Sequence, residues 1–353
     1  VNLRVVDKVN GGTKADPVNA GLNVARYPYF INTDVDCILS KDAIRKCIRP
    51  MIDHSHVIAV SGVMSISNAC VVKDGNMVKY RIPWSPIPLF QTLEYLRSFM
   101  VGKMGWSAIN AMPNVSGGYG MFDTEVAIAA GGYSADSLAE DMDMLIRMIG
   151  YCCDFNRPYR VIQIPDTCCW TEGPATLRQL YRQRTRWGHG LIQTFGKYYR
   201  MIFSRKYRQL GLITLPYLLI FEFLAPVIEI IGFFIFLYLA FTGGVNWGTA
   251  WIIFLVMYVF CFQLSFVVIY YDYTQTKMRG ASYIRLVVAA LLEPLVYHPL
   301  ILLFSLRGYL RFLLKQGIVW GEMKRKGFQQ NQAPPGQQPP AATVPVDDTA
   351  PTE

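Results

Sequence analysis

The sequence predicts an α/β domain followed by an α-helical membrane-spanning region, and three observations carry that expectation. Short apolar runs alternate with helical stretches between Val1 and Ser67. Charged residues make up only 17% of the chain, against about 25% in a soluble globular protein. The apolar excess, within an overall hydrophobic content of 52%, gathers after Gly211 in stretches long enough to cross a bilayer.

Val1–Val6 reads as a strand already under way, leading to a turn at Gly11-Gly12, so the chain is expected to be truncated at its N-terminus, with no signal peptide or leading span ahead of it. A helix is expected over Pro17–Ala25 and is stopped by Pro28. Tyr29–Thr33, an apolar run ending at Asp34, suits a buried strand of a parallel sheet. Ser40 is the expected N-cap of a helix reaching His54, and the β-branched residues of His56–Ser67 read as another strand. Alternation of this kind places ligands at the carboxyl ends of the strands. Pro86–Met104 and Thr176–Phe203 read as amphipathic helices, the second strongly basic, with Arg178, Arg182, Arg184, Lys197 and Arg200 suited to a membrane surface.

Leu212–Phe241 and Thr249–Tyr271 each reach the roughly 20 residues that a span needs. The loop between them carries no charge. Their outer flanks hold Arg200, Arg205, Lys206 and Arg208 on one side and Lys277, Arg279 and Arg285 on the other, which reads as a hairpin with both ends cytoplasmic. The net charge of +9 is therefore assigned to membrane flanks and not to nucleic acid. A third apolar segment, Ile284–Leu306, is interrupted at Glu293-Pro294 and His298-Pro299 and is expected to be a kinked or re-entrant passage with its basic tail inside. Glu222, Glu229 and Glu293 are costly in lipid, and lining a polar channel is one reading of them. The expected plan is a cytoplasmic α/β domain over 1–175, amphipathic interface helices over 176–210, spans over 211–306, a basic cytoplasmic interface segment over 307–328 and a disordered tail over 329–353. Eight cysteines without a Cys-x-x-Cys, and four scattered histidines, argue against a zinc site or a disulfide framework and for reduced, buried thiols.

Four stretches carry chemistry. Asp34 and Asp36 stand two apart at the end of an apolar run, so extended backbone turns both carboxylates to one face, where oxygen ligands suit Mg²⁺ or Mn²⁺. Lys14 follows two glycines and can hold a base or phosphate; the bland reading of Lys14–Asn19 is a helix start with Asp16 in its first turn. Ser116-Gly117-Gly118 lets backbone approach a ligand, or is simply a tight turn. Glu140-Asp141 opens a helix, either as a dipole contact or with Asp141 as a general base. Gln183, Arg186 and Trp187 are spaced i, i+3, i+4 and share one helix face, offering a cation for phosphate and a flat apolar surface for a sugar ring.

In this order, the stretches Gly11-Gly-Thr-Lys14-Ala-Asp-Pro-Val-Asn-Ala-Gly21, Asn32-Thr-Asp34-Val-Asp36, Ala139-Glu140-Asp141 and Gln183-Arg-Thr-Arg186-Trp187 resemble the processive family 2 glycosyltransferases, which include cellulose, hyaluronan, chitin and poly-N-acetylglucosamine synthases. Trp320–Phe328 looks like the C-terminal end of bacterial members, and the likeness runs to Phe328. The family commonly has Thr where Ala139 stands, and its first nucleotide-binding strands precede the part matched here. The resemblance implies a GT-A-type domain, incomplete at its N-terminus, and inverting transfer from a UDP-sugar with Mg²⁺ or Mn²⁺. It implies that Lys14 and Asp34 contact the nucleotide, that Asp36 holds the metal, and that Asp141 is the catalytic base preceded by Glu140. Gln183, Arg186 and Trp187 would bind the pyrophosphate and the acceptor end of the glycan, and Ser116, Gly117 and Gly118 would line the acceptor groove. The partners it implies are a UDP-sugar donor, a polysaccharide acceptor, lipids of the cell membrane, and export or regulatory subunits. The alternatives are a non-processive enzyme acting on a lipid, and a membrane transporter or scaffold without chemistry.

Overall fold

The computed structural model describes residues 4–276 and 282–316. The chain runs through α1 (Ala15–Asn23), β1 (Tyr29–Thr33), β2 (Ile38–Leu39), α2 (Ala43–Asp53), β3 (Val57–Ile66), β4 (Val71–Lys73) and β5 (Asn76–Lys79). Next, α3 (Pro86–Leu96) passes through a π-helical turn into α4 (Lys103–Ala108). Then come β6 (Tyr119–Asp123), α5 (Thr124–Ala129), α6 (Glu140–Asp154), β7 (Arg160–Thr171) and α7 (Leu177–Tyr198). π-Helical segments flank α8 (Leu215–Tyr217) and lead into α9 (Ala225–Phe241), followed by α10 (Trp247–Thr276). Finally α11 (Ser282–Leu292) joins α12 (His298–Leu313) through the π-helical Glu293–Tyr297.

A five-stranded sheet of order β1-β6-β3-β7-β2 organises the first part, and β4 and β5 form a separate two-stranded ribbon. All ten residues of β3 are buried, because helices cover both faces of the sheet. On one face Ile58, Ala59, Phe122 and Val161 pack with the buried side of α6; on the other Val60, Val63, Met121 and Ile164 pack with Ala43, Cys47 and Met51 of α2 and with Phe99.

The sheet is mixed, which corrects the expectation of a parallel one. Only β3 and β7 run parallel; β1 and β3 both pair antiparallel with β6, and β2 pairs antiparallel with β7. Apolar runs report burial, and strand direction is set by where the connection returns the chain. Ser40 is not the N-cap: α2 begins after Asp42, and the Ser40 hydroxyl is buried without a hydrogen-bond partner among the described residues. Thr176 does cap α7, accepting from Gln179 N in a reciprocal capping box. The first expected strand is not formed over its described part, where residues 4–10 are exposed and irregular; Val1–Leu3, Lys277, Arg279, Trp320–Phe328 and the tail lie outside the described residues.

Three helices among the described residues are long and apolar enough to cross a membrane: Leu210–Phe241, Trp247–Gln275 and Ser282–Leu313. No side chain of α9 is buried in the protein, so its apolar surface needs lipid or a partner. The third stretch is one helical run that reaches past Leu306 to Leu313, with a π-turn at Glu293–Tyr297, where the sequence led one to expect an irregularity. Glu293-Pro294 falls in a π-turn, and His298-Pro299 stands where that turn passes directly into α12. Glu293 faces the protein, paired with Arg97 at 3.0 Å, and Glu229 pairs with His298 at 2.8 Å.

The two parts are joined along α3 and α7. Phe90, Leu93, Leu96 and Leu180 pack with Leu286, Ala289, Ala290 and Tyr297. Arg184, expected at the membrane surface, is instead buried against Glu94 of α3, and Lys197 pairs with Asp143 at 2.6 Å. Where α7 crosses α12 the backbones approach through glycine. A Cβ on Gly188 would lie 2.5 Å from Ser305 O, and one on Gly308 2.7 Å from His189 N. Replacing Gly188 by alanine is therefore expected to cost about 1–3 kcal/mol through overpacking, read as a lower melting temperature of the detergent-solubilised protein. An unchanged melting temperature would show that the crossing yields freely.

Candidate functional site

The polar motifs meet at the end of the sheet where β1 finishes and β6 begins. β1 runs out at Thr33, and Asp34 N donates to Gly118 O at 3.2 Å, tying the first acidic motif to the glycine stretch. Lys14, just ahead of α1, reaches into the same place. Its Nζ donates to Gly117 O at 2.7 Å, lies 2.6 Å from Asp34 Oδ1 and 3.6 Å from Glu140 Oε1. Burial alone would push the Lys14 ammonium down, but the charges of Asp34, Glu140 and Asp141 lift it above its ordinary value. It stays a cation.

A Cβ on Gly117 would lie close against the site, 3.1 Å from Lys14 Nζ, 3.5 Å from Glu140 Oε1 and 3.6 Å from Asp141 Cβ. Asp141, in the first turn of α6, accepts from Asn114 Nδ2 at 3.1 Å and Gly117 N at 3.2 Å through Oδ2, while its Oδ1 accepts from Met142 N at 2.8 Å. Glu140 is buried, and burial together with the Asp141 charge raises its carboxyl above the ordinary range, against the opposing pull of Lys14. Beneath them Asn32 reaches Tyr133 OH at 3.4 Å and Gly117 O at 3.5 Å. Asp16 takes the plain reading: it accepts from Gly11 N at 3.0 Å in the first turn of α1 and pairs with Lys8.

Asp34, Asp36 and Cys37 present ligand atoms within 4.8 Å of one another. The two carboxylates fit a hard divalent ion such as Mg²⁺ or Mn²⁺, whereas the thiol suits softer metals and here donates towards Asp36 Oδ1 at 3.9 Å. All eight cysteines are free, six of them buried and Cys37 and Cys261 half-buried.

Among the residues singled out from the sequence, Lys14, Asp34, Gly117, Gly118, Glu140 and Asp141 are thus brought together, with Ser116 opening the turn through Tyr119 N donating to its carbonyl at 3.2 Å. Arg186 joins from α7, donating to Leu138 O at 3.4 Å and acting on Glu140 through its charge. Gln183 and Trp187 make their contacts elsewhere: Gln183 accepts from Gln91 of α3 at 2.8 Å, and the Trp187 ring lies under the Arg184 guanidinium at 4.3 Å. Asn114, Asn32 and Tyr133 escaped sequence reasoning because nothing local marks an asparagine or tyrosine as a partner of a distant carboxylate. Lys103 escaped it too. It is 6% exposed, lies over the Phe99 ring at 4.6 Å, and has no hydrogen bond or ion pair among the described residues.

Two family models match the chain: "Glycosyl transferase family 2" over residues 1–103 and "Glycosyl transferase family group 2" over residues 89–264. Among curated proteins, the poly-beta-1,6-N-acetyl-D-glucosamine synthase of Staphylococcus aureus (strain COL) is 26% identical over 185 residues, covering 52% of this chain and 40% of that one. The synthase of the same name from Staphylococcus epidermidis is 26% identical over 190 residues, covering 54% and 41%. The match thus spans about two fifths of the length of these relatives. Among solved structures, a mannosyltransferase from Pyrobaculum calidifontis in complex with GDP-Man and Mn²⁺ aligns with 88% of this chain and 70% of its own at 17% identity, with a TM-score of 0.46, too loose to transfer any residue.

Burial pushes the Lys103 ammonium down to about 8 from 10.5, with the Asp141 charge opposing it. Between those values the unfolded chain holds a proton that the folded chain does not, so stability rises with pH across that window. Lys103→Met is expected to stabilise the protein below about pH 8 by about 3 kcal/mol, since each pH unit of the gap is worth about 1.4 kcal/mol, and the advantage should shrink towards pH 10.5. Melting curves of the two proteins at pH 7 and pH 10 check this; a constant difference would refute it.

Proposed function

The chain belongs to the family 2 glycosyltransferases, and on that premise we propose that it transfers a sugar from a UDP-sugar to the end of a growing polysaccharide at the cytoplasmic face of the cell membrane, with the product exported through its membrane region. The N-acetylglucosamine named in its curated relatives makes UDP-N-acetylglucosamine the first donor to test.

The observation that carries the reading is the environment of Asp141. Its Oδ2 is oriented by Asn114 and Gly117 N, and it sits at the same point as the lysine that holds Asp34. A carboxylate oriented in this way can take the proton of an acceptor hydroxyl as that oxygen attacks the anomeric carbon. Asp141 then carries the proton while UDP leaves from the opposite face, which inverts the anomeric centre. Lys14 would offset negative charge at the nucleotide end, and Arg186, beside Leu138 O and acting on Glu140, would meet the pyrophosphate. A divalent ion held by Asp36 with Asp34 would supply Lewis-acid neutralisation of the diphosphate. Gln183 and Trp187 receive the acceptor glycan, and Ser116–Gly118 border its groove. Three helices suited to a bilayer support a multi-pass enzyme that passes its product across the membrane.

Membranes carrying the protein are expected to build a ladder of products from radiolabelled UDP-N-acetylglucosamine, to stop when divalent ions are chelated, and to resume when Mg²⁺ or Mn²⁺ is restored. Asp141→Asn should lower transfer by at least about 10²–10⁴-fold and leave UDP binding intact. Near-normal turnover in that variant would remove Asp141 from its role, and single additions to a lipid would replace the polymer reading.

A further inference from the structure

The ribbon of β4 and β5 takes no part in the five-stranded sheet. It turns at Asp74-Gly75, both at positive φ, with Lys73 paired to Asn76 across the turn. Two strands alone are marginal in water and need a surface to rest on. Val72 is buried, but Lys73, Val78, Lys79 and Arg81 are exposed. The chain leaving the ribbon is held firmly. Ile82 shares a core with Val268 and Ile269 of α10 and with Tyr283 and Leu286 of α11. Arg285, at the start of α11, donates to Ile82 O at 3.0 Å, and its guanidinium lies 3.3 Å from the centre of the Trp84 ring. Trp84 is nevertheless 78% exposed.

These contacts set the height of the ribbon relative to a bilayer. Of the helices apolar enough to cross one, the second ends at Gln275 and the third begins at Ser282. Trp84 therefore stands where one span leaves the membrane and the next enters it. At that level an indole suits the boundary between headgroups and acyl chains, and a guanidinium suits phosphate. The charge is one-sided. Asp74 is the single acid between Val71 and Ser85, and Asp272 near the end of α10 is buried and accepts from Tyr283 OH at 2.8 Å. Lys73, Lys79, Arg81 and Arg285 have no ion pair among the described residues.

We propose that the β4–β5 ribbon and the Trp84–Arg285 pair form a docking surface for anionic phospholipid. Trp84 and Val78 meet the headgroup boundary, while Lys79, Arg81 and Arg285 gather lipid phosphates and acidic headgroups. This goes beyond the transfer reaction and rests only on the membrane helices. Continuity with two spans and the exposed apolar side chains favour a lipid surface over a soluble anion. The excess of unpaired cations favours an anionic lipid over a zwitterionic one, whose surface carries no net charge. α3 begins at Pro86, two residues past Trp84, so a ribbon seated on the leaflet also fixes the helix that joins the two parts of the protein.

The test uses the full chain in neutral detergent micelles, titrated with dioleoylphosphatidylglycerol or with dioleoylphosphatidylcholine. The chain has seven tryptophans, so the Trp84 fluorescence is taken as the difference from Trp84→Phe. Phosphatidylglycerol is expected to shift that emission to the blue and to cut its quenching by acrylamide about twofold, and phosphatidylcholine to do neither. Replacing two exposed cations together, Lys79→Gln with Arg81→Gln, should raise the phosphatidylglycerol needed for half of the shift at least about tenfold. Salt at about 0.5 M should raise it in the parent protein as well, through screening. That arm needs no substitution, so a destabilised variant leaves the proposal open to refutation. An equal response to the two lipids, no response to either, or a half-point that neither salt nor the double variant moves overturns the proposal. The same shift produced by tripolyphosphate without phosphatidylglycerol overturns it too, in favour of a soluble anion. Sugar transfer enters none of these readings: the lipid response in a protein without transferase activity would sink the proposed reaction alone, and transfer without the response would sink the docking surface alone.

Discussion

One ammonium group holds the site together. Lys14 arrives from the start of α1, and its Nζ is shared by the Gly117 carbonyl, Asp34 at the end of β1 and Glu140 at the start of α6. Without that cation, carboxylates from two different elements would face one another in a partly buried place, at a Coulomb cost that rises as water is excluded. With it, the sheet end, the glycine turn and the helix start close on a common point, and the geometry around Asp141 follows. The same arrangement brings the Gly117 backbone close to Lys14 and Asp141, so that a Cβ there would press on the lysine ammonium.

The electrostatics are graded along the site. Glu140 is raised above its ordinary range by burial and by its neighbour Asp141, while Asp141 is the member given two outside donors. Adjacent carboxyl groups are thus made unlike by their surroundings, the usual condition for dividing structural and chemical work between them. Burial also lowers the Lys103 ammonium, with the Asp141 charge acting against that shift.

Much of this was legible because the chemistry is written locally. The two-residue spacing of Asp34 and Asp36, the acidic start of α6 and the i, i+3, i+4 face of α7 need no knowledge of the fold to be seen. Strand direction was not legible: β1 and β6 pair antiparallel although register partners such as Thr33 and Tyr119 lie far apart in the sequence, and nothing in an apolar run encodes that. Arg184 was misplaced at the membrane surface because its partner Glu94 lies 90 residues upstream, so a basic stripe on a helix looked solvated when one of its members was paired inside. The proline pairs of the last helix signalled an irregularity in an apolar segment, and they fall at a π-turn and at its junction with α12. Orphan groups such as Lys103 leave no pattern in a sequence, since their significance lies in what is not beside them.

The seam between α3, α7 and the long apolar helices has a practical meaning for anyone wishing to simplify the molecule. Leu180, Phe90 and Leu93 are covered by side chains of the last two helices, and the Gly188–Gly308 crossing leaves no room for water between the backbones. Trimming the chain after Tyr198 would strip that cover and leave a greasy flank with a charged arginine at its centre. The half that carries Lys14, Asp34 and Asp141 is therefore not a detachable cassette: the apolar flank of α3 and α7 is covered by helices that are themselves apolar enough to cross a membrane.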